Sequence, residues 1–253
     1  MKTLTAVIEK LFDEMKLHIY DTEEETIKGL ADFFIKTVNH AIKKNDDCSV
    51  VLSGGNSPKK LYQLLASHEY KNKVDWNKIS FFFGDERYVP FNDAESNGLM
   101  AKQTLFDPLQ IDESKIFYIG TSLSPQHDAA NYTDAIFTYF GDKQPKFDLI
   151  LLGLGDNSHT ASLFPYTDVL HEETTLVREV FLEDKKIYRI TMTAPLINDA
   201  YNIALLVYGK TKAEAVHHVL KGEKNIELYP AQLIQPLDGT ANWFMDAAAA
   251  SLV

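Results

Sequence analysis

Apolar positions fall into two kinds of run along the chain. In the first kind apolar residues predominate over a short block: Val50–Leu52, Trp76–Phe83, Phe147–Leu152 and Asn202–Tyr208. Such short blocks predict strands buried on both faces. In the second kind apolar residues recur at helical spacing, as at Ile27, Leu30, Phe34, Ile35, Val38 and Ile42. That helix opens on Thr22-Glu23-Glu24-Glu25, a capping box with acids in the first turn, and ends near the basic Lys43-Lys44, as the helix dipole favours. Further helices are expected over Lys59–Ala66, Leu99–Phe106, Pro125–Phe140 and Thr211–Leu220, a short helix or turn over Ala194–Ala200, and a helix-forming run over Asp246–Leu252. Leu17–Tyr20, Ile116–Ile119 and Asn242–Met245 read as short strands. Thr175–Val180 and Ile187–Thr193 alternate β-branched and polar residues, the pattern of paired strands with one wet face. Strands alternating with helices, without an internal repeat or linker, predict one α/β domain over residues 1–253 with a largely parallel, twisted sheet and helices on both faces.

Composition narrows the partners. The 253 residues carry 25 Lys+Arg against 36 Asp+Glu, a formal net charge of −11. An acidic field of that size repels nucleic acid and anionic membranes, while a small anionic substrate stays open if a few cations are concentrated locally. The lone Cys48 excludes an internal disulfide and a Cys-based zinc site and suits a reducing compartment. It opens an apolar run, which reads as a buried core thiol. Met1–Met15 mixes apolar residues with Glu9, Lys10, Asp13 and Glu14, without a signal-peptide core, and no stretch approaches transmembrane length. A cytoplasmic protein, monomeric or weakly dimeric, is the expectation.

Four loops follow strands: after Leu52, Phe83, Leu152 and Tyr208. In a parallel sheet such loops share one edge, where ligands bind. Ser53-Gly54-Gly55-Asn56-Ser57-Pro58 stands between a strand and a helix. It reads either as a phosphate cradle of backbone N–H groups at a helix start or as an ordinary tight turn. It lacks the Gly-Lys-Ser/Thr ending of a nucleotide loop and the spacing of the dinucleotide motif. Asp85-Glu86-Arg87 is either a solvated turn or an arginine fork oriented by a neighbouring acid. Leu154-Gly155-Asp156-Asn157-Ser158-His159 delivers a histidine into a loop rich in small and donor side chains, as a catalytic base or as a capping residue. The other seven histidines lack such surroundings, and no His/acid cluster has metal-ligand spacing, so no metal is expected. Ser162 is not set in a Gly-x-Ser-x-Gly elbow. Arg189 in a strand and Lys210 after one are weak signals alone; with Arg87 they would locally reverse the acidic field.

Taken together, Ser53–Pro58, Gly84-Asp85-Glu86-Arg87-Tyr88-Val89, Gly153–Pro165 with its His159-Thr160-Ala161-Ser162-Leu163-Phe164-Pro165 tail, Arg189–Thr193, Gly209–Ala213 and Pro230-Ala231 resemble the 6-phosphogluconolactonases, in the superfamily shared with glucosamine-6-phosphate isomerases/deaminases. The likeness runs over residues 17–250, and the tail after His159 resembles the lactonase branch. The family usually reads Asp-Gly-His where this chain has Asn157-Ser158-His159. The resemblance implies a Rossmann-like sheet, no cofactor, and hydrolysis of 6-phospho-D-glucono-1,5-lactone in the oxidative pentose phosphate pathway. His159 would be the general base on water, with Asp85 and Asn157 beside it and Gly155 near the developing oxyanion. Ser53, Gly54, Gly55, Asn56, Arg87, Arg189 and Lys210 would hold the sugar phosphate. The alternatives are an isomerase/deaminase using the Asp85 carboxylate, and a sugar-phosphate-binding protein without turnover.

Overall fold

A computed structural model describes residues 15–253; the amphipathic N-terminal stretch read above lies, up to residue 14, outside the described residues. Among the described residues nine strands are seen: β1 Met15–Tyr20, β2 Cys48–Leu52, β3 Ile79–Phe83, β4 Asp85–Arg87, β5 Leu149–Gly153, β6 Val177–Leu182, β7 Ile187–Met192, β8 Asn202–Val207 and β9 Thr240–Asp246. The α-helices that matter below are α1 Glu23–Asn45, α2 Asn56–Leu65, α3 Asn97–Ala101, α4 Pro125–Phe140, α5 Ala194–Asn198 and α6 Ala213–Leu220.

Six strands form a wholly parallel sheet in the order β1-β9-β8-β5-β2-β3. The helices flank it, and every residue of β2 and β3 is buried, as continuous apolar runs require when both faces are covered. From β2 the chain steps outward to β3, then returns to the other side of β2 for β5 and continues through β8 and β9. The direction of winding therefore reverses between β2 and β5. The loops leaving those two strands splay apart there, at the crevice where open α/β sheets bind ligands.

A second sheet, antiparallel in the order β4-β7-β6, stands beside the first. Gly84 joins the two: its N–H donates to Leu52 O at 2.9 Å, and its carbonyl accepts from Met192 N at 2.8 Å. The alternating pattern foretold β6 and β7. It did not foretell β4, because Asp85-Glu86-Arg87 carries the charge of a solvated turn while Asp85 and Glu86 are in fact buried.

Local signals set most element ends. Thr22 Oγ1 accepts from the Glu25 N–H and Glu25 Oε2 accepts from the Thr22 N–H, each at 3.2 Å, so the capping box is closed at the start of α1. Other expectations need correction. Ile116–Ile119 makes only an isolated bridge to Phe81. Leu99–Phe106 lies partly in α3 and widens into a π-helical stretch, Lys102–Phe106. Residues after Asp246 form turns rather than a helix: the Asp246 carboxylate binds the N–H groups of both Ala249 (2.7 Å) and Gly209 (3.1 Å), and the run is too short to nucleate a helix unaided. Among the described residues no helix is long and apolar enough to cross a membrane.

Candidate active site

The reversal point opens into a cleft of about 400 Å³. Two buried tyrosines fix the backbone at its rim. The Tyr62 hydroxyl accepts from Ser53 N–H (3.0 Å) and donates to Ser53 O (2.8 Å); the Tyr132 hydroxyl accepts from Phe83 N–H (2.7 Å) and donates to Phe83 O (3.1 Å). The ends of β2 and β3 are thus tied down by side chains, leaving the residues beyond them to face the cleft.

After β2, Gly55 takes φ 100° and stands as N-cap of α2 with no side-chain capping bond. The first N–H groups of a ten-residue helix are therefore free for an anion, where the helix dipole also favours one. Asn56 begins that helix and, like Ser53, Gly54 and Gly55, lines the cleft.

His159 comes from the β5 side. Gly155 N–H donates to His159 O at 2.8 Å, Ser158 N–H to Gly155 O at 2.9 Å, and Ala231 N–H to Ser158 O at 2.9 Å. The loop is closed on itself and pinned by the Pro230-Ala231 turn. The imidazole lies directly over Gly155: a Cβ there would stand 2.0 Å from His159 Nδ1. Its other flank is stacked on Phe164, with ring centroids 4.0 Å apart at 18°. Nδ1 is 2.5 Å from Asn157 Oδ1. An amide oxygen only accepts, so in the neutral ring Nδ1 carries the hydrogen and Nε2 carries the lone pair. Burial pulls the imidazole down to about 4; Asp85 opposes this, while Arg189, Lys212 and Lys185 add to it. Ser158 sits at φ 61°, in the left-handed region where a glycine would rest without strain.

Across the cleft, β4 and β7 place Arg87 directly opposite Arg189. Like charges at paired positions of an antiparallel ladder repel on one face. Two features offset this. Asp85 Oδ2 lies 3.9 Å from Arg189 NH1, and Arg87 NH1 donates to Glu95 O at 2.6 Å. Arg87 is thus oriented by Glu95 rather than by Asp85, whose Oδ2 also accepts from Ser162 Oγ at 2.6 Å. Burial lowers the Arg189 pKa from its ordinary value, with Asp85 opposing. The Nε atoms of both arginines, Ser53 Oγ and Asn97 Oδ1 are buried without a protein partner, and all four residues line the cleft. Unpaired buried polar atoms are rare in folded proteins; four on one cleft mark a place built for a polar ligand.

Of the residues expected from sequence, Ser53, Gly54, Gly55, Asn56, Asp85, Arg87, Gly155, His159 and Arg189 meet in this cleft. Asn157 stands behind His159 and does not line it. Lys210 is not part of it either: the turn Lys210–Lys212 is a 3-10 helix, and its phase brings Lys212 round instead. Lys212 pairs with Asp156 at 2.6 Å, so Asp156 is engaged by lysine rather than by histidine. Lys185, from the tip of the β6–β7 hairpin, and Asn97 also line the cleft. For Lys185 the sequence holds no signal, since it depends on how the hairpin curls. Asn97 had one: it follows Ser96, whose side chain accepts from Leu99 N–H as the N-cap of α3. No group of His, Cys, Asp or Glu among the described residues could hold a metal ion.

Comparison with known proteins gives the same direction. A family model described as glucosamine-6-phosphate isomerases/6-phosphogluconolactonase matches residues 21–243. The 6-phosphogluconolactonase of Synechocystis sp. is 38% identical over 216 residues, covering 84% of this chain and 87% of that protein. The structure of a Trypanosoma cruzi 6-phosphogluconolactonase superposes with a TM-score of 0.84 at 27% identity, over 93% of this chain and 96% of that one. A monomeric glucosamine-6-phosphate deaminase shares the fold at a TM-score of 0.80 and 23% identity, over 94% of this chain and 100% of that one.

Proposed function

This chain belongs to the glucosamine-6-phosphate isomerase/6-phosphogluconolactonase family, and we propose that it is a lactonase, hydrolysing 6-phospho-D-glucono-1,5-lactone to 6-phosphogluconate with His159 as general base. The observation that carries the assignment is the histidine itself: Nδ1 is committed to Asn157, and the ring faces a cleft whose opposite wall is cationic.

The phosphate is held by the free N–H groups at the start of α2 together with Arg189, Arg87 and Lys212, which, gathered at one place, give a local positive field in an otherwise acidic protein. This fixes the lactone ring between α2 and His159. Nε2 takes a proton from water as the oxygen attacks C1, and the carbonyl becomes a tetrahedral oxyanion. The Gly155 N–H, expected near that oxyanion, donates to His159 O instead. The imidazolium returns its proton to the ring oxygen as the C1–O bond breaks, which opens the ring and regenerates the neutral base. General acid–base catalysis of this kind contributes roughly 10²–10⁴-fold.

The isomerase/deaminase alternative asks a carboxylate to shuttle a proton between C1 and C2. Asp85, the carboxylate in the cleft, already accepts from Ser162 and Asn97 and faces Arg189. Its oxygens are occupied in holding the wall together, which favours the lactonase. Acid release from freshly generated lactone, run in parallel with ammonia release from glucosamine 6-phosphate, separates the two. Acceleration of the first alone is expected; ammonia release without lactone hydrolysis would overturn the proposal.

A further inference from the structure

Three of the unpartnered atoms on the cleft can donate: the two arginine Nε–H groups and the Ser53 hydroxyl. A phosphate or a carbonyl oxygen satisfies them. Asn97 Oδ1 is of the other kind, because an amide oxygen only accepts, and it repels a phosphate. It needs a donor from the ligand.

The orientation of this amide is forced. Asn97 Nδ2 donates to Asp85 O at 2.9 Å and lies 3.4 Å from Asp85 Oδ1; turned over, the amide would set its oxygen against two acceptors. The backbone is held as firmly. Glu86 Oε1 accepts from Asn97 N–H at 2.8 Å, and Glu86 Oε2 accepts from Gly98 N–H at 2.8 Å and Ser96 Oγ at 3.1 Å. Asn97 is 1% exposed, yet it borders the cleft. Gly54 confirms that the room is made for it. A Cβ at Gly54 would fall 1.8 Å from Asn97 Oδ1, so this glycine of the phosphate turn is required by the asparagine.

We infer that Asn97 is a specificity-determining residue, whose Oδ1 accepts a hydrogen bond from a ring hydroxyl of the sugar phosphate. The inference rests on the sugar-phosphate reading of the cleft and adds to it what reads the sugar rather than the phosphate. A site that pairs a buried acceptor with a substrate hydroxyl discriminates against an analogue lacking it, because the acceptor is then stranded.

Calorimetric binding of glucose 6-phosphate and its 2-, 3- and 4-deoxy forms tests this, since these keep phosphate and ring without a C1 carbonyl to hydrolyse. The wild type should bind one deoxy form roughly tenfold more weakly than the parent. In Asn97→Ala that penalty should vanish, while the ratios for the other two forms stay as in the wild type. Gly54→Ala, which pushes the amide aside, should erase the same penalty and keeps the test alive should Asn97→Ala fail to fold. Equal weakening of all four ligands would overturn the inference and leave Asn97 as a scaffold for Asp85. No binding of any of them to the wild type would overturn it together with the sugar-phosphate reading. Lactone turnover, measured separately, decides the lactonase assignment whichever of these results is obtained.

Discussion

Asn157 Oδ1 stands 2.5 Å from His159 Nδ1, so the group behind the proposed base is a neutral amide. An amide fixes the tautomer and the ring plane as a carboxylate does. It cannot stabilise the imidazolium by charge, so nothing at Nδ1 offsets the burial that pulls the imidazole down to about 4. A base depressed in this way stays unprotonated across the neutral range and gains its proton only as pH falls through that value.

Replacing the amide by a carboxylate tests this directly. Asn157→Asp brings an opposite charge against Nδ1 and should raise the His159 midpoint by about 1–3 units. NMR titration of the ring reads it: a midpoint near 4 in the wild type, higher in the variant. The acid limb of kcat should move toward neutral pH in step. An unmoved midpoint would mean that Asn157 does not control the ring.

Gly155→Ala should disable the enzyme while leaving it folded. The added methyl would overlap the imidazole and displace it by about an ångström, a misplacement that costs on the order of 10²-fold in rate. Circular dichroism should be unchanged and kcat reduced by that factor. Full activity would mean that the ring does not work from the position seen.

Two lysines separated by one residue should differ sharply. Lys212 lines the cleft and Lys210 does not, so Lys212→Ala should raise KM with a smaller effect on kcat, and Lys210→Ala should change neither. Equal effects, or the reverse order, would contradict the cationic wall as described.

These contrasts also show what the sequence conveys and what it withholds. Periodicity and caps placed the long helices and the buried strands, because those signals are local. The loop motifs named eight of the residues that line the cleft, and Arg189 in its strand made a ninth, since strand ends of a parallel sheet gather at one edge whatever the details. Lys212 lines the cleft in place of Lys210 because a single 3-10 turn decides which of two neighbours faces inward, and nothing local phases it. Asp85-Glu86-Arg87 was ambiguous for a related reason: Asp85 and Glu86 are buried only because β7 and the Ser96–Gly98 segment supply partners from afar.

Ser158 offers a test of stability rather than rate. At φ 61° an L-residue carries a left-handed strain of about 1–2 kcal/mol, and glycine gives back about 0.5–1 kcal/mol of that in chain entropy. Ser158→Gly should therefore raise unfolding stability by about 0.5 kcal/mol with kcat unchanged, as read by urea denaturation. A loss above about 1 kcal/mol would show that the serine side chain itself supports the loop.

In the proposed reaction His159 abstracts the proton from water. Its most direct test is pH-stat hydrolysis of freshly generated 6-phosphogluconolactone by the wild type and His159→Ala, alongside 6-phosphogluconate binding to both. The predicted result is a fall in kcat of at least about 10²-fold with product affinity retained. Turnover by His159→Ala within a few-fold of the wild type would mean that another group takes the proton.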